Sequence, residues 1–112
     1  MTLPSSEVRD QFALWVVDQL GGRRVVEARP MFGALGLYQG GVMFAILHRG
    51  RLYLKGTGTT SCRPPFRPHP HQTLHSYRLV PARILEEGEA LRREAAAALR
   101  ATSEKRQDRP SG

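Results

Sequence analysis

Residues 34–56 read ALGLYQGGVMFAILHRGRLYLKG, and this stretch decides the fold of a chain of 112 residues. Its apolar residues form three short runs, which are separated by the turn signals Gln39-Gly40-Gly41 and His48-Arg49-Gly50. Turns this short join antiparallel neighbours, because a parallel crossover needs about a dozen residues or more. The stretch therefore predicts an antiparallel meander over residues 34–39, 42–48 and 51–56.

Helices are predicted on both sides of this meander. The first spans about Ser6 to Leu20 and ends at Gly21-Gly22. Its apolar residues, spaced to fall on one face, are Val8, Phe12, Trp15, Val16 and Leu20. We expect Phe12 and Trp15 to be buried against the sheet. After Pro81, an apolar stripe on alanine-rich sequence predicts helix again, with Ile84, Leu85, Leu91, Ala95, Ala98 and Leu99.

The remaining segments complete an α+β domain whose antiparallel sheet packs against the N- and C-terminal helices. Residues 56–72 are rich in Gly, Thr and Pro and have no periodicity, so they are predicted to form a long, mobile loop. A further strand is predicted over residues 73–80. The length leaves room for one domain, placed at residues 1–102, with a flexible tail at 103–112.

The charge of the chain is concentrated in its middle. The formal net charge is +7, and residues 28–85 contain eight Lys or Arg, all four histidines and no acid. Such a segment attracts phosphate or an acidic partner, although a solvated basic surface needs no ligand. The candidate contact residues are Arg29, Arg49, Arg51, Lys55 and Arg78.

Several classes of protein do not fit the sequence. Cys62 is the only cysteine, which excludes an internal disulfide and fits a reducing compartment. The N-terminal residues lack the basic start and apolar run of a signal peptide. The uncharged run from Pro30 to Leu47 is interrupted by glycines, which favours strands over a membrane span. We therefore expect a cytoplasmic protein that does not contact the membrane.

Little catalytic chemistry is present. His69, His71 and His75 follow Cys62, and imidazole and thiolate bind zinc, but their spacing matches no standard zinc site. They are weak candidates for a metal- or thiol-dependent enzyme. With no acid between residues 28 and 85, the sheet offers no carboxylate pair for acid–base catalysis. Phosphate-loop and dinucleotide motifs are also missing. We expect no catalytic residues and no cofactor.

An ordered set of short motifs resembles the TfoX/Sxy N-terminal domain family. The motifs are Arg29, Met31-Phe32-Gly33, Gly36-Leu37-Tyr38, Gly41-Val42-Met43-Phe44-Ala45, Gly50-Arg51-Leu52-Tyr53-Leu54-Lys55 and Ser76-Tyr77-Arg78. The resemblance extends from Ser6 to Ala101. It implies an α+β domain, kinship with bacterial regulators of natural competence that act with other proteins on transcription, and no established catalytic residues.

The leading hypothesis is a non-catalytic regulatory or adaptor domain that binds a protein partner through a sheet edge or helix face. The alternative is weak nucleic-acid binding without sequence preference through the basic region 28–85. An enzyme that uses Cys62 and the histidines is the third reading. A homodimer is compatible with each of them.

Overall fold

The computed structural model of the protein describes residues 5–31, 33–57, 60 and 62–107. They form one sheet with helices at both ends, and this confirms the predicted α+β class. In chain order the elements are α1 (Ser5–Gln19), β1 (Glu27–Met31), β2 (Ala34–Gln39), β3 (Val42–His48), β4 (Arg51–Lys55), β5 (Pro65–His69), β6 (Gln72–Leu79), α2 (Ala82–Leu85) and α3 (Gly88–Gln107). Phe32 and residues 108–112 lie outside the described part.

The sheet has the strand order β1-β2-β3-β4-β6-β5, and all neighbouring strands are antiparallel. The predicted meander is confirmed: β2 and β3 have the predicted bounds, and β4 ends at Lys55, one residue early. Gly40-Gly41 and Arg49-Gly50 form the two connecting turns, and all four residues have positive φ. Two-residue turns of this kind match the twist of the strands that they join.

The sheet carries a hydrophobic cluster on each face. Ala45 and Leu47 belong to the cluster that also contains residues of α1 and α3, which we call the helix-side cluster. Ile46, which lies between them in the strand, belongs to the other cluster. Because successive strand residues point to opposite faces, the two clusters lie on opposite sides of the sheet. The second cluster contains no helical residue and includes Tyr53, Phe66 and Tyr77. We call this side the helix-free face.

The predicted orientation of α1 is wrong for Trp15. This side chain is 40% exposed, while Val16 and Val17 are buried and Phe12 is partly buried against the helix-side cluster. At 3.6 residues per turn, the buried face is rotated toward Ala13 and Val17, and Trp15 lies off it. The sequence has apolar residues at almost every position here, so spacing alone did not define the buried face.

The predicted loop over residues 56–72 is also partly wrong, because it contains β5. This strand pairs with β6 at the outer edge of the sheet, and the Leu79 amide donates to the Pro64 carbonyl at 2.8 Å. An edge strand tolerates proline, since its outward-facing groups need no partner strand. Phe66 is fully buried and anchors the strand.

The C-terminal helices follow the predicted stripe. Leu91, Ala95 and Ala98 of α3 are buried in the helix-side cluster, and Ile84 and Leu85 of α2 pack against it. The helix α3 continues to Gln107, past Thr102, so residues 103–107 are helical where the sequence suggested a flexible tail. Within the described residues, no helix has the length and apolar character needed to cross a membrane.

Candidate functional site

An apolar groove runs between α1 and the β1–β2 edge of the sheet. It encloses about 570 Å³, and its apolar lining consists of Ala13, Leu14, Val17, Val26, Ala28 and Leu35. Arg23 also lines it, and so does Glu27, whose carboxylate is bonded to Arg29. We call this feature the α1 groove.

Small side chains explain why the groove is open. Ala13 lies on the sheet-facing side of α1, and Ala28 pairs with Leu37, a helix-side residue of the sheet. Protein interiors are normally filled to the density of organic crystals. Because alanine is the side chain at both of these lining positions, the space between the helix and the edge strand is left unfilled.

Exposed apolar side chains lie beside the α1 groove. Leu14 is 48% exposed, Trp15 is 40% exposed and Val25 is 42% exposed. The Trp15 ring stacks on Phe12, with 6.5 Å between the ring centroids. Single exposed apolar residues are ordinary, but an exposed apolar side chain that lines an apolar groove, as Leu14 does, is typical of interaction surfaces.

A second hollow, of about 290 Å³, continues this surface toward the β3–β4 turn. It shares Ala13 and Leu35 with the α1 groove and adds Phe12, Pro30 and Leu47. The adjacent strand β1 is an edge strand whose residues are exposed apart from Met31. Pro30 interrupts its donors, which discourages the addition of another strand. The α1 face, and not the edge of β1, is therefore the surface more open to a binding partner.

Three of the predicted basic contact residues share the helix-free face. Arg29 pairs with Gly36 of β2, Lys55 pairs with Tyr77 of β6, and Arg51 lies two residues before Tyr53. The Arg29 guanidinium binds Glu27 at 3.1 Å and lies 4.9 Å from the Tyr38 ring centroid. This hydrogen bond, together with the charge of Glu27, raises the pKa of Arg29.

The other two predicted contact residues, Arg49 and Arg78, do not lie on the helix-free face. Arg49 occupies the β3–β4 turn with a φ of 50°. Arg78 pairs with Leu54, so it belongs to the helix side of β6. Lys55 and Arg78 both border the hollow at the end of β4 but lie on opposite faces of the sheet, and the five predicted contact residues do not form one patch.

The tyrosines of the helix-free face serve as core residues. Tyr53 and Tyr77 are buried, and Phe66 lies 5.0 Å from the Tyr53 ring centroid. The Tyr77 hydroxyl donates to the Met43 carbonyl at 3.2 Å. Burial, with a smaller contribution from Tyr38, raises the pKa of Tyr77 to about 12. Rings held in this way are not available for stacking on nucleic-acid bases.

The predicted metal candidates are not assembled in the described part of the chain. Cys62 is exposed, and His71 and His75 are exposed as well. The His69 side chain lies outside the described residues. Within those residues, no three His, Cys, Asp or Glu side chains lie close enough to hold a metal ion.

The sequence pattern does not predict the polar cleft at the end of β4. Arg63 and Glu94 form a two-bond ion pair across it, and the Arg78 guanidinium donates to the carbonyls of His75 and Arg63. Lys55 also lines this cleft. The residues come from separate elements, and no local spacing links Arg63 to Glu94. The only sequence signal for this cleft is the high density of Arg and Lys in residues 28–85.

Comparison with known proteins identifies a family. The family model of the TfoX N-terminal domain matches residues 18–102, a range that holds the whole sheet, α2 and most of α3. The resemblance in the sequence is therefore confirmed over this range, although the match begins after most of α1. This domain is not a known enzyme family. A search of curated proteins found no match.

Proposed function

Because the chain belongs to the TfoX N-terminal domain family, we propose that it is a non-catalytic adaptor that binds another protein and acts through that contact in transcriptional regulation. The proposed contact surface is the α1 groove together with the exposed side chains beside it. The proposal places the protein in the cytoplasm, in keeping with its single cysteine, Cys62.

The observation that carries this proposal is the apolar surface around Leu14. Leu14 lines the α1 groove and is half exposed, and Trp15 and Val25 are also exposed. Removing apolar surface from water contributes about 25 cal/mol per Å². A partner that covers these side chains therefore gains free energy that the isolated domain leaves unused.

The groove suits an amphipathic helix of another protein. Its lining is apolar, and Arg23 offers one positive contact for the polar side of such a helix. Helix-in-groove recognition uses apolar anchors on one helix face, while charges at the rim set the orientation. We expect the bound helix to carry an acidic residue near Arg23.

Affinity capture with matched variants tests the proposal. The full chain is immobilised and exposed to cell extract with and without nuclease, and a captured protein is then purified and titrated against Leu14→Glu and Ala96→Glu. Ala96 is exposed on α3 and does not line the groove, so its variant adds the same charge elsewhere.

We expect nuclease-resistant capture, and at least tenfold weaker binding of the purified partner by Leu14→Glu than by Ala96→Glu. Equal affinities of the two variants would contradict the assignment of the groove. Concentration-dependent dimerisation that Leu14→Glu abolishes would identify a second copy of this chain as the occupant and overturn the choice of a different protein.

A second candidate function, weak nucleic-acid binding, is favoured by the placement of Arg29, Arg51 and Lys55 on one face. Since the buried tyrosines are not available for stacking, this contact is limited to phosphates, which position a protein without specifying sequence. Dissociation constants of about 10⁻⁴–10⁻⁶ M are expected, with a steep loss of affinity in salt.

Two labelled duplexes of unrelated sequence, titrated at low and physiological salt, test this candidate. Equal and salt-sensitive binding, reduced for both duplexes by Arg51→Gln, would support it. Tight, salt-resistant and sequence-selective binding would instead make nucleic acid the principal ligand and contradict the adaptor proposal.

A further inference from the structure

The α1 groove and the hollow toward the β3–β4 turn form one continuous depression along α1. Ala13 and Leu35 line both parts, so no wall separates them. Arg23, which follows the C-terminal end of α1, lines only the first part, and Arg49 of the β3–β4 turn lines only the second. We call the two parts together the extended α1 groove, and the two arginines mark its opposite ends.

Both of these arginines carry a charge that the chain does not neutralise. Arg23 and Arg49 are exposed. Within the part of the chain that the structure describes, neither guanidinium has a carboxylate within ion-pair distance. Each end of the extended α1 groove therefore presents one positive charge to a ligand.

The acidic residues nearby do not cancel these charges. Glu27 lines the groove, but its carboxylate is bonded to Arg29 at 3.1 Å. Asp18 is exposed on α1 and lines neither part. Among the described side chains, no other carboxylate lines the extended α1 groove. Its rim thus has a positive surplus, one charge at each end of an apolar lining.

The length of the extended α1 groove matches a short helix. The strand β1 borders both parts, because Ala28 lines the first and Pro30 lines the second. Its five residues span about 16 Å at ~3.3 Å per residue. Three turns of α-helix, at ~5.4 Å per turn, cover the same length. Over three turns, apolar side chains at i, i+4 and i+7 fall on one face and can fill the apolar lining.

We propose that the segment bound in the extended α1 groove is an acidic amphipathic helix of another protein, an inference that rests on the proposed adaptor function. The helix has about three turns, an apolar stripe along the groove and a carboxylate near each end, beside Arg23 and Arg49. Complementary charge at the rim selects among helices that share one apolar pattern, since like charges brought together oppose binding. The groove therefore rejects a basic helix with the same stripe.

Three designed peptides are the probes for the test. They share leucines at i, i+4 and i+7 on an alanine-rich sequence, and they carry glutamate, glutamine or lysine at the two positions that flank the stripe. A hydrocarbon crosslink on the outer face holds each peptide helical, because isolated helices of this length are marginal in water. Fluorescence anisotropy of the labelled peptides measures their affinity for the full chain at physiological salt.

We expect the acidic peptide to bind about tenfold more tightly than the neutral one, as two exposed ion pairs allow, and the basic peptide to bind most weakly. Equal affinities of the acidic and neutral peptides would overturn the proposal. So would a titration of the acidic peptide that does not saturate.

Matched variants separate the two arginines from the general positive charge of the chain. Arg23→Gln and Arg49→Gln should each weaken the acidic peptide by about threefold and leave the neutral one unchanged. Arg93→Gln removes the same charge from exposed α3 surface that lines neither part of the groove, and its effect should stay below about 1.5-fold. Equal weakening by Arg49→Gln and Arg93→Gln would contradict a selective rim.

A charge reversal gives the sharpest result. The double variant Arg23→Glu/Arg49→Glu should bind the basic peptide more tightly than the acidic one. An unchanged preference for the acidic peptide would place its binding site elsewhere on the chain and overturn the proposal.

The neutral peptide distinguishes failure of this proposal from failure of the adaptor surface. Leu14→Glu should weaken its binding about tenfold relative to Ala96→Glu, because the new carboxylate must be desolvated in the groove. If this holds and the three peptides bind equally well, the groove stands as a helix-binding surface and only the acidic preference is overturned. If Leu14→Glu and Ala96→Glu bind the neutral peptide equally, the groove assignment and the acidic preference both fail.

Discussion

Arg63 and Glu94 are 31 positions apart in the chain and form a two-bond ion pair, with Nη1–Oε1 at 2.6 Å and Nη2–Oε2 at 3.2 Å. Their side chains are 18% and 25% exposed. The pair connects the segment before β5 to α3, and Arg78 donates to the Arg63 carbonyl. It therefore holds the edge of the sheet against the C-terminal helix.

Removal of this ion pair should destabilise the domain. We expect Arg63→Ala to lower the free energy of unfolding by about 1–2 kcal/mol, since parallel bonds from Arg to a carboxylate are stronger than an exposed pair. Urea unfolding measures the change, with Arg93→Ala on exposed α3 surface as the control. A double-mutant cycle with Glu94→Ala should give a coupling energy above zero, and additive effects would mean that the pair contributes nothing.

Truncation of Trp15 to alanine should destabilise the domain less than truncation of Val16, although tryptophan is the larger side chain. Trp15 is 40% exposed and Val16 is fully buried. We expect Trp15→Ala to lower the unfolding free energy by less than about 1 kcal/mol and Val16→Ala by about 2 kcal/mol, because only the second removes buried methyl groups. Thermal and urea unfolding of both variants measure this. A larger loss for Trp15→Ala would place the tryptophan in the core and contradict the orientation of α1.

The buried Tyr77 hydroxyl should make stability depend on pH in the alkaline range. Its folded pKa is raised from 10.0 to about 12, so the folded state holds this proton more tightly than the unfolded state. The contribution is complete below pH 10 and is lost as pH rises toward 12. Linkage gives about 1 kcal/mol lost at pH 11 relative to pH 9.

The matched variant for this prediction is Tyr77→Phe, which lacks the titrating group. We expect the difference in unfolding free energy between wild type and variant to shrink between pH 9 and pH 11. Absorbance titration near 295 nm should also lose its highest-pH step in the variant. A difference that stays constant with pH would mean that the hydroxyl is hydrated in the folded protein.

Arg49 should be a site where substitution increases stability. It has a φ of 50°, in the left-handed region that is unfavourable for most side chains. Asparagine tolerates this conformation and is favoured in two-residue turns, so Arg49→Asn should raise the unfolding free energy by about 0.5–1 kcal/mol. Arg51→Asn in β4 removes the same charge without the turn effect. Equal melting temperatures of wild type and Arg49→Asn would show that the turn carries no strain.

Turn signals and apolar runs in the sequence predicted the central strands β2, β3 and β4. They did not predict the edge strand β5. Gly40-Gly41 and Arg49-Gly50 bracket β3 with turns, which is why the bounds of β2 and β3 follow from the sequence. β5 has one buried anchor, Phe66, among prolines, so its pairing depends on β6 and leaves no periodic signal. Fast hydrogen exchange stays a prediction for residues 56–64. Residues 65–69 should exchange more slowly, because they form β5 and pair with β6.

The candidate sites depend on tertiary contacts in the same way. Apolar residues occupy both sides of α1, and only packing on the sheet decides that Val16 is buried and Leu14 exposed. The sequence singled out Lys55 and Arg78 as basic residues, but the fact that both border one hollow follows from the pairing of β4 with β6. Arg63 and Glu94 had no local signal, because a separation of 31 residues has no characteristic pattern.

Hydrogen exchange of the full chain with its purified protein partner tests the adaptor account most directly. We expect binding to slow exchange in residues 12–20 of α1 and 25–31 around β1, which border the α1 groove, with little change in residues 72–79 of β6. The Leu14→Glu variant should show no such protection at the same partner concentration, and Ala96→Glu should retain it. Protection confined to β4 and β6, or unchanged in Leu14→Glu, would contradict the claim that this domain binds its partner through α1.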